Sequence, residues 1–273
     1  PDGGVIDDLI VYYLTPEFYR VVVNASTREK DLAWINTQAE AFSVSINVRD
    51  DLAMIAVQGP KARELTLPLL PIELQQGASH LEPFYAAWQG EWFVGRTGYT
   101  GEDGFEIMLP NDEAESFWNK LLADGARPCG LGCRDTLRLE AGMNLYGNDM
   151  DESISPLEAG LDWTIAWEPR DRSFIGRDAL EQQKAAGINT TFVGLILEGR
   201  GVCRAHQRIV IEGSADGEIT SGSFSPTLQR AIAFARIPKT DSQTCQVDIR
   251  GKLIPAKIVK TTFVRNGKPL VTL

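Results

Sequence analysis

Two adjacent carboxylates, Asp7 and Asp8, stand in the opening run Gly3-Gly4-Val5-Ile6-Asp7-Asp8-Leu9-Ile10-Val11-Tyr12-Tyr13. A carboxylate buried away from cations titrates upward and can hold or accept a proton near neutral pH, which suits acid–base chemistry. A strand over residues 5–13 sends one of the pair to the face of Ile10 and Tyr12 and the other to that of Leu9 and Val11. One of the two is therefore expected in a site, against the competing reading of a solvated acidic turn. A second cluster is Gly98-Tyr99-Thr100-Gly101-Glu102-Asp103-Gly104-Phe105-Glu106. Its glycines let backbone approach a flat ligand, Tyr99 can stack on one, and Glu106 can accept two N–H bonds from an amino-heterocycle edge. An acidic hairpin loop explains the same residues equally well. With neither a lysine nor a following helix N-terminus, this is no phosphate loop. A third cluster, residues 130–142, puts Arg134 in a first helical turn, where its charge opposes the helix dipole and calls for solvent, Asp135 or an anionic ligand.

The elements that must hold these groups follow from periodicity and punctuation. Strands over 5–13 and 18–24 around Thr15-Pro16-Glu17 read as a hairpin. Ser26-Thr27-Arg28-Glu29 has capping-box spacing and precedes Leu32, Ile35, Ala39 and Phe42 at helical intervals, so a helix is expected to pack on that hairpin. Further strands are expected over 53–58, 84–88, 92–96 and 104–109, with helices over 61–70, after a capping Asn111, and over 131–141 up to Gly142. Trp163 and Trp167 read as core. From residue 192 the pattern turns to short strands between Gly, Pro and Asp, over 193–197, 208–211, 218–221, 231–237, 246–250 and 253–259, which marks a small all-β barrel. The mixed order gives an α+β class with two domains, 1–190 (in two lobes) and 191–273.

Composition narrows the partners. The 273 residues carry 27 Lys and Arg against 37 Asp and Glu, a net charge of -10 with no basic cluster, which disfavours nucleic acid and anionic lipid. No apolar run reaches bilayer-spanning length. His80 and His206 are the two histidines, and with Cys129, Cys133, Cys203 and Cys245 scattered they form no zinc constellation at familiar spacings, so no metal is expected. The cysteines read as free thiols of a reducing compartment.

Taken together, the opening Gly3–Tyr12 run, Gln58-Gly59-Pro60, Thr97-Gly98-Tyr99-Thr100-Gly101-Glu102-Asp103-Gly104, Arg134-Asp135-Thr136-Leu137-Arg138-Leu139-Glu140-Ala141-Gly142 and Ser221-Gly222-Ser223-Phe224-Ser225-Pro226 resemble, in order, the motifs of the aminomethyltransferases, the T-proteins of the glycine cleavage system. The resemblance implies a multi-lobed folate-binding ring with a C-terminal all-β barrel. It implies transfer of a one-carbon unit from the aminomethyl-lipoyl arm of a carrier, the H-protein, to tetrahydrofolate, with release of ammonia and formation of 5,10-methylenetetrahydrofolate. Tetrahydrofolate is the co-substrate and no metal takes part. Carried over by position, the family's essential aspartate falls on Asp8. Tyr12, Val22 and Asn24 match one wall of the folate pocket, and Tyr99, Glu106 and Arg134 the other. A carboxylate at Asp8 would orient the attacking N5 and stabilise an iminium as ammonia departs.

The family's sequences extend upstream of the opening motif, so this chain is expected to lack an N-terminal segment, with its edge strand exposed or covered by another copy. A cytoplasmic location is expected, or the mitochondrial matrix if the source is eukaryotic. Two other readings stay open: a non-catalytic folate-binding or carrier-docking module, and the folate domain of a sarcosine or dimethylglycine oxidase. A third, the folate protein of iron–sulfur assembly, is disfavoured because its Lys-Gly-Cys-Tyr motif is missing.

Overall fold

The computed structural model describes residues 1–272, and the chain divides into two compact units, one of residues 9–134 and one of residues 1–8 with 135–273. In the first, β1 (Ile10–Thr15) and β2 (Phe18–Val22) form the expected hairpin, with Ile10 opposite Val22 and Tyr12 opposite Arg20. Its outer side is apolar and exposed at Val11, Tyr13, Tyr19 and Val21. Helix α1 (Arg28–Ala39) follows, and here the sequence expectation fails in two ways. Thr27 is the N-cap and makes no side-chain cap bond, so the capping box does not form, and Phe42 lies past the helix end at 69% exposure.

The rest of this unit is a four-stranded antiparallel sheet in the order β3-β6-β5-β4, built from β3 (Leu52–Gln58), β4 (Ala86–Gln89), β5 (Trp92–Gly95) and β6 (Gly104–Pro110). Alternation along β6 divides its residues cleanly. Phe105, Ile107 and Leu109 join Ile55, Val57 and Val94 in a core closed by α2 (Ala62–Thr66), α3 (Ile72–Ser79) and α4 (Asn111–Ala123), the last through Phe117 and Leu121. Glu106 and Met108 face the other way. There Met108 packs with Tyr12 and Phe93, and Val22 and Ile10 close the cluster. Asn111 is the first helical residue of α4 rather than its cap; Pro110 holds the cap position, and the Asn111 amide donates to the Asp50 carbonyl at 2.8 Å.

In the second unit, β7 (Thr190–Leu197), β8 (Arg208–Val210), β9 (Gly217–Ser225), β10 (Arg230–Pro238), β11 (Thr244–Ile249) and β12 (Lys252–Val259) close into an antiparallel barrel ordered β10-β7-β12-β11-β8-β9. Closure leaves no open sheet edge. Along β10, Ala231, Ala233, Ala235 and Ile237 fill the interior, where small residues suit the narrow lumen, while Ile232 and Phe234 pack outward on Leu139 and Phe263. Cys203 and Cys245 lie in the barrel core, and burial pushes their thiols up to about 12 and about 11. All four cysteines are free, Cys129 and Cys133 at the surface. A short β13 (Val264–Arg265) and β14 (Lys268–Pro269) follow the barrel.

Helix α5 (Leu131–Ala141) ends where predicted, at Gly142 with φ of 84°. Helix α6 (Arg177–Ala186), with Leu180 as its buried residue, was not among the elements expected from the sequence. Trp167 packs edge-on to Phe174, but Trp163 is 78% exposed in a 3-10 turn and is not core.

Candidate functional site

The expected strand face carrying Asp8, Ile10 and Tyr12 does not exist, because β1 begins at Ile10. The reason is a long-range bond: the Val5 N–H donates to the carbonyls of Asp151 at 3.1 Å and Ile154 at 2.9 Å. This draws residues 1–8 into the unit of the barrel. Asp7 is half-buried and accepts the Asp8 N–H at 2.7 Å, while the Asp8 side chain is exposed. Asn24 likewise lies beyond the end of β2, half-buried, its carbonyl accepting from the Thr27 hydroxyl at 3.4 Å.

Tyr12, Val22, Tyr99, Glu106 and Arg134 all belong to the first unit, and four of them meet on one side of β6. Gly95 of β5 pairs with Glu106, and the Tyr12 phenol fills the space that the missing Gly95 side chain leaves. A Cβ on Gly95 would stand 2.4 Å from the Tyr12 hydroxyl oxygen. The ring itself is 4% exposed and edge-on to Phe93 with centroids 4.9 Å apart. Burial, and then the neighbouring Glu106 carboxylate, raise the Tyr12 phenol well above its ordinary value, so it stays a neutral donor. Glu106 is half-buried, and burial raises its carboxyl, opposed by the positive charge of Arg134. Arg134 lies with its guanidinium carbon 4.6 Å from the centre of the Tyr99 ring. The sequence pointed to solvent, Asp135 or an anionic ligand as its partner; Arg134 is exposed to solvent and meets the face of Tyr99, a cation–π contact the sequence did not announce. Asp135 instead binds Arg138 at 2.9 Å. Tyr99 is half-buried beneath the guanidinium rather than exposed.

The result is a carboxylate of raised pKa, a phenol donor and a cation stacked on an aromatic ring. Such a set can accept from an N–H edge, donate to a ring nitrogen or carbonyl, and face an anionic tail. Sequence reasoning missed Gly95 and Phe93, although a glycine within a strand pattern signals close approach by another group. Asp103 receives two parallel bonds from Arg96, each 2.8 Å.

Two of the motifs that carried the resemblance turn out to be fastened to each other. Arg138 of α5 donates to Ser221 at 3.0 Å and to Asp149 at 3.0 Å, and the Glu140 carboxylate accepts from Ser225 and from the Thr227 N–H and hydroxyl. These buried groups hold α5 to β9 of the barrel.

Residues 1–169 match the GCVT N-terminal domain family, and residues 191–265 match the glycine cleavage T-protein C-terminal barrel domain family. An aminomethyltransferase of Chromobacterium violaceum is 59% identical over 98% of this chain and 74% of its own length. One of Methylococcus capsulatus is 52% identical over 100% of this chain and 74% of its own. The crystal structure of glycine cleavage system aminomethyltransferase T from Bartonella henselae superposes with a TM-score of 0.87 at 31% identity, over 97% of this chain and 74% of that one. The chain thus belongs to the glycine cleavage T-protein family, the aminomethyltransferases.

Proposed function

We propose that this chain performs the family's reaction with the first unit as its folate wall and Asp8 as its acid–base group. Tetrahydrofolate supplies the nucleophilic N5 that receives the one-carbon unit, and a lipoyl carrier protein of the H-protein type presents the aminomethyl group. Glu106 accepts from the amino-pyrimidine edge of the pterin. Tyr12 donates beside it, Val22 and Asn24 border the pocket, and Tyr99 with Arg134 faces the remainder of the ligand. Asp8 orients N5 and stabilises the positive charge that develops as ammonia leaves. The observation that carries this reading is the cluster on β6, a carboxylate raised by burial between a buried phenol and a ring-stacked guanidinium. The reaction calls on no metal. Among the described residues no helix is long and apolar enough to cross a membrane. The bacterial origin of the similar aminomethyltransferases supports a cytoplasmic location. We assign residues 1–190 to the folate-binding domain and 191–273 to the barrel domain.

The test is turnover with aminomethylated carrier protein and tetrahydrofolate. Release of ammonia with formation of 5,10-methylenetetrahydrofolate is expected. Saturable folate binding without ammonia release would instead identify a binding or docking module.

A further inference from the structure

We propose that Gln58, acting with Thr100, is a positioning residue that fixes the Tyr99 ring for ligand binding; the ligand part of this proposal rests on the folate reading above. Gln58 is the last residue of β3 and lies opposite Gly104. Its side-chain amide donates to the Thr97 carbonyl at 2.9 Å and accepts the Thr100 hydroxyl at 2.8 Å. One amide thus holds the chain on both flanks of Tyr99, two residues before it and one after. The Thr100 hydroxyl also takes the Glu102 N–H at 3.4 Å, which carries the restraint into the turn at Gly101, where φ is 73°.

The fit is close enough to dictate sequence. A Cβ on Gly98 would lie 1.8 Å from the Gln58 Oε1, and one on Gly104 would lie 2.7 Å from its Nε2 and 2.2 Å from the Val57 carbonyl oxygen. Two glycines of the loop are therefore explained by the glutamine and strand they pack on, with no ligand required. The ends of the loop are closed separately by the Arg96–Asp103 fork, to which Arg63 adds a contact at 3.6 Å. Between these fixed ends the amide restrains the backbone and side chain flanking Tyr99, and Arg134 rests on that ring. A binding group held in advance loses less freedom when the ligand arrives, so a loosened loop should cost affinity before it costs chemistry.

The experiment uses the full chain with Thr100→Val, which keeps the shape and removes the donor, Thr100→Ser, which keeps the donor, and Gln58→Ala. Hydrogen exchange of residues 98–102 is expected to quicken roughly tenfold in Thr100→Val and Gln58→Ala, a loosening that lowers the melting temperature by only several degrees, and to return in Thr100→Ser. Tetrahydrofolate affinity is expected to fall about 3- to 10-fold in Thr100→Val, the range for one lost neutral hydrogen bond, with KM rising and kcat nearly kept. In a Tyr99→Ala background the same substitution should cost almost nothing further, since its effect runs through the ring. Unchanged exchange overturns the proposal, as does an equal affinity loss with and without the Tyr99 ring. If the unsubstituted chain binds no tetrahydrofolate, the folate reading fails and the exchange result alone decides the clamp.

Discussion

Removing the Asp149 carboxylate is expected to be among the most costly single changes in the barrel unit. Asp149 is 0% exposed and Arg138 3%. One carboxylate oxygen, Oδ2, accepts from Arg138 Nη1 at 3.0 Å, the Ser221 hydroxyl at 2.9 Å and the Leu145 N–H at 2.8 Å, while Oδ1 accepts the Thr220 hydroxyl. Asp149→Ala strands a buried guanidinium, whose remaining anion, Asp135, is half exposed, and leaves three further donors without their acceptor. Breaking one side of such a buried pair costs about 3–5 kcal/mol. For a unit of this size that corresponds to a melting temperature lowered by roughly 10 °C. Asp149→Asn is milder, about 1–3 kcal/mol, because its carbonyl can keep the three donors and its NH2 can face the Thr220 hydroxyl, which rotates to accept. Calorimetry and guanidinium unfolding on the two variants measure both numbers. The paired replacement Arg138→Met with Asp149→Leu should recover much of the loss, since no charge then remains buried. An Asp149→Ala variant within about 1 kcal/mol of the parent would refute the reasoning, as would equal costs for Ala and Asn.

Three further outcomes follow from the site. Gly95→Ala drives a Cβ against the Tyr12 phenol and should destabilise by about 1–3 kcal/mol, partly relieved by Tyr12→Phe; an unchanged melting temperature would show that the ring moves freely. Because burial raises the Glu106 carboxyl in the folded state, the native protein binds that proton more tightly than the unfolded chain. Stability is then lost as pH rises from the unfolded carboxylate value through the folded one, so Glu106→Gln should stabilise the fold at pH 7 and not at acid pH, a difference read from melting curves across pH. Asp8→Asn should lower turnover roughly a hundredfold or more while tetrahydrofolate affinity is kept, and a matching loss in Asp7→Asn with none in Asp8→Asn would move the role to Asp7.

Much of the architecture could be read from local pattern, and the exceptions share a cause. The barrel strands announce themselves by alternation between Gly, Pro and Asp, and all six form within a few residues of their expected places. The first strand was set too early because Val5, Ile6 and Leu9 extend the apolar residues of the strand upstream, yet the Val5 N–H donates to Asp151 and Ile154, partners too distant in sequence for any pattern to show. Ser26 to Glu29 has the spacing of a capping box, but Thr27 takes the N-cap position, and spacing cannot tell the two apart. At the site, Glu106, Tyr99 and Arg134 were legible as chemistry-bearing types beside glycines. Their arrangement was not, since it depends on Tyr12 reaching over Gly95 and on Gln58 reaching into the loop, both contacts between strands rather than along one. Arg138, Glu140, Ser221 and Ser225 entered the sequence reading only as parts of two separate motifs, and the structure gives them the work of joining α5 to the barrel.

The most direct test of the central claim is a calorimetric titration of tetrahydrofolate into the chain beside its Glu106→Ala and Arg134→Lys variants. Saturable binding at one site is expected, weakened most by Glu106→Ala, which removes the acceptor for the pterin edge. Arg134→Lys should weaken it less, because lysine keeps the charge but not the planar stack on Tyr99. Binding of equal strength in all three proteins would contradict the account, and so would a parent chain that binds no tetrahydrofolate.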